Sequence, residues 1–431
     1  AIDNQFTKTI NSSKFKRELL KEFGEHFFNL IEMELQSFDP KLVELMKEEN
    51  ELTNEYRSLL AGAEIRYKGK ILNLAGLSPY MQDIKRETRK EAFQLMNNFF
   101  KENEEKLDVI FDKLVIVRNK KGEILNFKNF IPLGYLNMNR SDYGAEEVSE
   151  YRKQIVKHIV PLVEKINQKR KNILGYKEMF VYDTLYFKNG NPKPKGGVEF
   201  QVKQAKKMYT ELSKETKEFF EIMINEELMD LDNRPGKSGG GFCTSFPSIE
   251  RPYIFANFNG TDHDVTVLTH EAGHAFQGYQ SRHQTINRYL WPTYEACEIH
   301  SMSMEFLTWD WMHLFFQEDT DKFLFKHLAG SLAFLPYGAL VDHFQHWVYE
   351  NPKATPRERK REWLKLEKIY QPGKKYDNLD FLKNGGFWQK QAHIYEMPFY
   401  YIDYTLAQVC AFQFWIRMQE EKESAWNDYL K

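Results

Sequence analysis

Apolar positions recur at three- and four-residue spacing along most of the chain, so the sequence predicts a mainly helical protein. Phe15, Leu19, Leu20, Phe23, Phe27, Leu30 and Ile31 mark a first helix, capped by Ser12 and Ser13 and running to about Phe38. Asp39-Pro40 ends it and starts a second, to about Ala61, because proline is tolerated in a first helical turn. Residues 64–73 alternate around Lys68-Gly69 and predict a small hairpin. Helices resume near Ser78-Pro79. Residues 145–174 predict one long amphipathic helix, with Val148, Tyr151, Ile155, Ile159, Leu162, Val163 and Ile166 on its face. Residues 180–195 are rich in Tyr, Gly, Asn and Pro and carry strand and loop signals. Read as a linker, they divide the chain into a helical N-terminal lobe, 1–175, and a second region, 176–431. A helical pair across 202–229 is followed by two strands of a small sheet, one through Gly239–Phe246 and one through residues 253–258. From Asp264 onward the pattern is helical, with a kink expected at Pro336. There is no internal repeat and no low-complexity segment.

Composition narrows the function classes. Among 431 residues, 60 Lys and Arg face 62 Asp and Glu, for a net charge of −2. Such a balance gives no basic field to suggest nucleic acid or an anionic membrane as partner. No apolar run reaches the roughly 18–20 residues of a membrane span, residues 329–341 being the longest candidate. The start Ala1-Ile2-Asp3-Asn4 lacks the features of a signal peptide, and without an initiator Met a processed or trimmed chain is expected. Cys243, Cys297 and Cys410 are odd in number and far apart, which disfavours a disulfide framework and suggests a reducing, cytoplasmic setting. Without a CxxC pair, any metal site must draw on His, Asp and Glu.

Ten of the 12 histidines lie at or after position 263. Among them, His270-Glu271-Ala272-Gly273-His274 places two imidazoles four residues apart, on one helix face, where both can bind one ion. Glu271 lies at the edge of that face and can reach an ion-bound water without being a ligand. This is the HExxH spacing of zinc peptidases. A catalytic zinc takes three protein ligands and keeps one open position. Gln277 and Gln280 stand where one large class has Gly and His, so the third ligand must be an acid on a later helix. Glu298 and Glu295 both qualify. Glu298, Ser301, Met302 and Glu305 share a face, so Glu305 or Ser301 can orient a ligating imidazole. Gly273 inside the motif implies close approach by a neighbouring element.

Other clusters are read beside these. His393, Tyr395, Tyr400, Tyr401 and Tyr404 offer phenol donors for an oxyanion, or a tyrosine-rich core stripe. The glycines at 239–241 lack phosphate-loop spacing and suit an edge strand that pairs with a peptide, or a flexible loop. Asp342, His343 and His346 read as a polar helix face, Cys297 as a packing residue, and residues 357–361 as a solvated face.

The HExxH segment continued by Ala275-Phe276, with the helix from Glu298 to Glu305, resembles the thimet oligopeptidase and oligoendopeptidase F family of zinc peptidases. Lys237-Ser238-Gly239-Gly240-Gly241 resembles that family's glycine-rich edge strand, and Tyr400-Tyr401-Ile402-Asp403-Tyr404 its substrate-binding tyrosine segment. Both look most like the bacterial, Pz-peptidase-like branch that cleaves collagen-type oligopeptides. The similarity is clear from about Phe127 to the C-terminus. It implies a two-lobed, multi-helix zincin-like fold, with a small sheet beside the HExxH helix and a substrate channel. It also implies one zinc held by His270, His274 and Glu298, and Glu271 as general base. Tyr401, Tyr404 and His393 are implied to serve substrate and transition state, and short peptides to be the substrates. Family chains extend further at both ends, so part of the N-terminal lobe and a C-terminal tail are expected to lie outside this chain. The alternatives are a non-catalytic helical metal- or peptide-binding protein, which retention of Glu271 disfavours, and an exopeptidase of the same zinc chemistry. A homo-oligomer is compatible with the sequence but does not follow from it.

Overall fold

The computed structural model describes residues 2–234 and 236–431. The first helical region differs from its expected form. Ser12 Oγ bonds back to the Lys8 carbonyl at 2.9 Å and closes the helix Ile2–Asn11. A new helix, Lys16–Ser37, begins beyond it, and Gly24 breaks its regular geometry at φ +83°. The Asp39-Pro40 boundary and the hairpin follow the expected pattern. Asp39 accepts from the Lys41 amide at 2.8 Å, and the next helix is Val43–Ala61. Ile65–Tyr67 pairs antiparallel with Lys70–Leu72, with Lys68 and Gly69 at φ 48° and 77° in the two-residue turn.

The long helix expected over 145–174 forms as Ala145–Gln154 and Val160–Leu174, joined by a π-helical turn, Ile155–Ile159. Pro161 explains the turn, because it lacks an N–H and its ring crowds the carbonyl four residues back. Residues 180–195 form no strand. They are a loop tied down by buried Asp183, which accepts from Arg86 at 2.6 and 2.8 Å and from Arg89 at 3.2 Å. Residues 202–229 hold the expected pair, as Val198–Leu212 and Lys214–Asn225.

A third strand, Met229–Asp232, joins the two expected ones. The central strand Arg251–Phe258 pairs parallel with Met229–Asp232 and antiparallel with Phe242–Phe246, which is an edge of the sheet. Alternate residues of the central strand, including Ile254, Ala256 and Phe258, are buried. They share a core with Val265, Leu268, Ala272 and Phe276 of the helix His263–Ser281, so the sheet lies under the HExxH helix.

Two main cores form. One combines residues between 52 and 182 with residues between 335 and 402; the other lies between residues 205 and 429. The helix Thr320–Glu350 continues through Pro336 and belongs to both ends of this arrangement. The helical stretch His313–Glu350 contains an 18-residue window of mean hydropathy 1.3, so among the described residues one helix is long and apolar enough to cross a membrane, contrary to the sequence expectation. In the fold it is a core helix: Leu335, Leu340, Val341, Phe344 and Val348 are almost wholly buried in the first core. Gly273 has the reason the sequence suggested. A Cβ there would lie 2.6 Å from Ser301 Cα and 2.9 Å from the His300 carbonyl, both backbone atoms, so only glycine lets the helix Tyr294–Leu307 pack this close.

Candidate metal centre and substrate cavity

A cavity of about 1090 Å³ opens between the two cores. Its wall includes Arg57 and Leu136 from the first core's side, Gly241 and Thr244 from the sheet, and the HExxH side chains. His270 and His274 leave one face of their helix with ring centroids 4.9 Å apart. Their Nε2 atoms lie 3.2 and 3.4 Å from Glu298 Oε2. Candidate ligand atoms of these three residues all fall within 4.8 Å of one another, and no other such group of His, Cys, Asp and Glu occurs among the described residues. Glu295 is outside it and accepts from Thr293 Oγ1 at 2.8 Å. The close packing at Gly273 explains how Glu298, 24 residues beyond His274, reaches the imidazoles.

Supporting contacts hold these groups. Glu305 Oε1 lies 2.8 Å from His270 Nδ1, which turns Nε2 toward Glu298. Ser301 donates to Glu298 Oε2 at 2.9 Å, so it orients the carboxylate and not an imidazole. Burial opposes ionisation of Glu298, but His274 and His270 outweigh it and hold the carboxyl well below its ordinary value. Burial works on Glu305 in the same sense, and hydrogen bonds from His270 and His327 bring it down to about 2. Two imidazole nitrogens and an ionised carboxylate oxygen, converging and oriented from behind, fit one borderline-soft divalent ion such as zinc.

Glu271 is buried beside them. Its Oε2 finds no hydrogen-bond partner among the described residues. Burial raises its carboxyl above the ordinary value, against the pull of His270 and His274. A Cβ on Gly241 would come within 3.1 Å of Glu271 Oε1, so the glycine leaves space between the sheet and this acid. The glycines at 239–241 form a loop ahead of the edge strand and not the strand itself. Asn257 Nδ2 pins that loop, donating to the Ser238 and Gly240 carbonyls at 2.8 Å each.

The tyrosine segment divides in a way the sequence did not predict. Tyr400 and Tyr404 line the cavity; Tyr401 does not. Tyr401 packs on Phe334 and Tyr337, with ring centroids at 5.7 and 5.8 Å. Tyr400 donates to Glu298 Oε1, a role the sequence analysis missed. Helical spacing held the clue: Tyr400 and Tyr404 are four apart and share a face, whereas Tyr401 is turned by about 100°. Burial, with Glu298 nearby, keeps both phenols well above their ordinary pKa, so both remain donors at neutral pH. His393 also lines the cavity. Gln391 Oε1 accepts from Tyr337, so its Nε2 donates to His393 Nδ1 at 2.9 Å. The other ring nitrogen then donates to Tyr404 at 3.2 Å and leaves the phenol proton of Tyr404 free for another acceptor. Burial lowers His393 to about 4, which keeps it neutral.

Phe399, just before this segment, sits at φ +71°. Arg140 bonds its carbonyl at 2.6 Å and Gln345 accepts from its amide at 2.9 Å. A Cβ on Gly134 would come within 2.5 Å of the Phe399 ring. These residues fix the turn that carries Tyr400, and no local pattern announces them. The second histidine cluster is structural: Asp342 pairs with Arg152, His346 with Tyr135 at 3.0 Å, and His343 with Tyr370 at 3.0 Å. Cys297 lines the cavity, as does Cys243.

The sequence profile of Peptidase family M3 matches residues 79–430, most of the chain. The chain belongs to peptidase family M3. Pz peptidase A, solved with an inhibitor, is 52% identical, with a TM-score of 0.98 over 99% of this chain and 76% of that one. A Bacillus anthracis protein provisionally named oligoendopeptidase F is 46% identical, with a TM-score of 0.92 over 99% of this chain and 75% of that one. The oligoendopeptidase F homolog of Borreliella burgdorferi is 23% identical over 367 residues, 82% of this chain and 60% of its own. The chain thus spans less than two thirds of that curated relative. Membership in family M3 implies a metal cofactor and agrees with the two-lobed helical fold.

Proposed function

We propose that this chain is a zinc-dependent endopeptidase acting on short, unfolded peptides. The convergence of His270, His274 and Glu298 beside Glu271, inside a cavity bordered by a strand edge, carries this reading. His270, His274 and Glu298 hold the zinc. Bound there, zinc makes water a nucleophile near neutral pH and polarises a peptide carbonyl. Glu271 takes the proton of the attacking water and later delivers it to the leaving amine. Tyr404 donates to the developing oxyanion, Tyr400 holds Glu298, and His393 orients Tyr404. Tyr401 supports this wall from behind through its ring contacts with His393 and Tyr404. The edge strand Phe242–Phe246 pairs with an extended substrate, which puts the scissile bond across the glutamate and the imidazoles. The three free cysteines suit a reducing compartment, and we propose a cytoplasmic location on that ground.

Size selection follows from the cavity. An extended peptide advances about 3.3–3.6 Å per residue, so roughly ten residues need about 35 Å of cleft. A folded domain must first open locally, against several kcal/mol. End-blocked peptides of up to about 20 residues should therefore be cut internally, with little action on an intact globular protein at equal molarity. Mass spectrometry of the products reads both outcomes. Comparable turnover of the folded protein contradicts the enclosed cleft, and stepwise release of terminal residues contradicts endopeptidase action.

A further inference from the structure

Glu305 is the midpoint of a longer chain of contacts. Its Oε1 meets His270 Nδ1 at 2.8 Å and its Oε2 meets His327 Nε2 at 2.7 Å. His327 comes from the long core helix, 22 residues further along the chain. Its other nitrogen, Nδ1, lies 3.0 Å from Trp309 Nε1. An indole N–H can only donate. His327 Nδ1 is therefore the acceptor, and the ring's proton sits on Nε2, where it is donated to Glu305. With Oε2 engaged, Glu305 accepts at Oε1 from His270 Nδ1–H. That tautomer leaves the lone pair of His270 on Nε2, the atom 3.2 Å from Glu298 Oε2. The His327 ring is clamped as well: Phe323 stacks on it at 5.5 Å and 9°, and Phe306 lies at 4.8 Å.

We propose that His327 and Trp309 are positioning residues of the metal centre, holding in place the Glu305 carboxylate that sets the tautomer and ring angle of His270. The inference rests on the zinc reading above. Neither residue touches the cavity, and neither is near the HExxH motif in sequence. Trp309 sets the direction of the whole relay, because a second acceptor in its place would let His327 turn its proton away from Glu305. Removing the direct partner of a metal-bound imidazole, here Glu305, costs about 10–100-fold in metal affinity, and residues that act only through Glu305 cost less.

Zinc affinity of the full chain, by competition with a chromophoric chelator, tests this, with the unfolding midpoint of the metal-free protein measured beside it. His327→Leu should weaken zinc by about tenfold, the lower end of the range for loss of a direct partner such as Glu305. Trp309→Phe keeps an aromatic ring and loses only the N–H, so it should cost a smaller factor, about three- to tenfold. His327→Gln can accept from Trp309 and donate to Glu305, and it should stay within about threefold of the parent. The visible spectrum of the cobalt-loaded protein should shift in His327→Leu and be restored in His327→Gln. Parent-like affinity, within about twofold, in both His327→Leu and Trp309→Phe overturns the proposal. So does a His327→Gln variant as weak as His327→Leu, since volume and not hydrogen bonding would then be the cause. If His327→Leu fails to fold, Trp309→Phe and His327→Gln decide alone. A parent chain that takes up no zinc is a separate result and overturns the zinc reading itself.

Discussion

Glu271→Gln should retain zinc and lose peptide hydrolysis by about 10²–10⁴-fold, the range for removal of a general acid–base. The substitution keeps the shape of the side chain, so the close space beside Gly241 is still filled. An amide cannot accept the proton of the attacking water. The buried Glu271 Oε2 has no partner among the described residues, so no structural hydrogen bond at that oxygen is lost. Metal uptake should therefore survive, because Glu271 is not one of the three converging residues. The check is kcat/KM on a quenched peptide together with zinc content on the same sample. Activity within tenfold of the parent contradicts the assigned role, while loss of zinc would make Glu271 a ligand or a structural support.

His270→Ala or His274→Ala should remove bound zinc as well as activity. Each leaves two ligands where the geometry provides three, a larger loss than the 10–100-fold attached to a supporting contact. The third position separates two candidates. Glu298→Gln should weaken zinc far more than Glu295→Gln, because Glu298 faces both imidazoles while Glu295 is held by Thr293. Metal titration of the purified variants reads the difference. Stoichiometric zinc in His270→Ala, or a reversed order of the two glutamates, contradicts the ligand set.

Much of the site is legible in sequence because it is local. HExxH needs only one helix, and 3.6-residue periodicity places both histidines on one face. The rest is decided by packing between helices. Glu295 and Glu298 lie within one turn, and only the close approach at Gly273 selects the one that meets the imidazoles. Tyr400 and Tyr401 are neighbours, and the left-handed turn at Phe399 sets which of them faces Glu298. His327 lies 57 residues beyond His270 and reaches it only through Glu305. The fold shows the same division. Helix periods and the Lys68-Gly69 turn read directly, whereas the strand Met229–Asp232 is too short and acidic to stand out beside a helix end. The return of residues 335–402 to the first core is a long-range contact with no local signature.

Metal content and internal cleavage, measured on one preparation of the chain, test the central claim most directly. The predicted result is one zinc per chain by mass spectrometry, with internal cleavage of a quenched peptide acetylated at its N-terminus and amidated at its C-terminus. Chelation should abolish the cleavage and added zinc restore it. Cleavage that persists in the metal-free protein, or a zinc-loaded chain that leaves every blocked peptide intact, would contradict it.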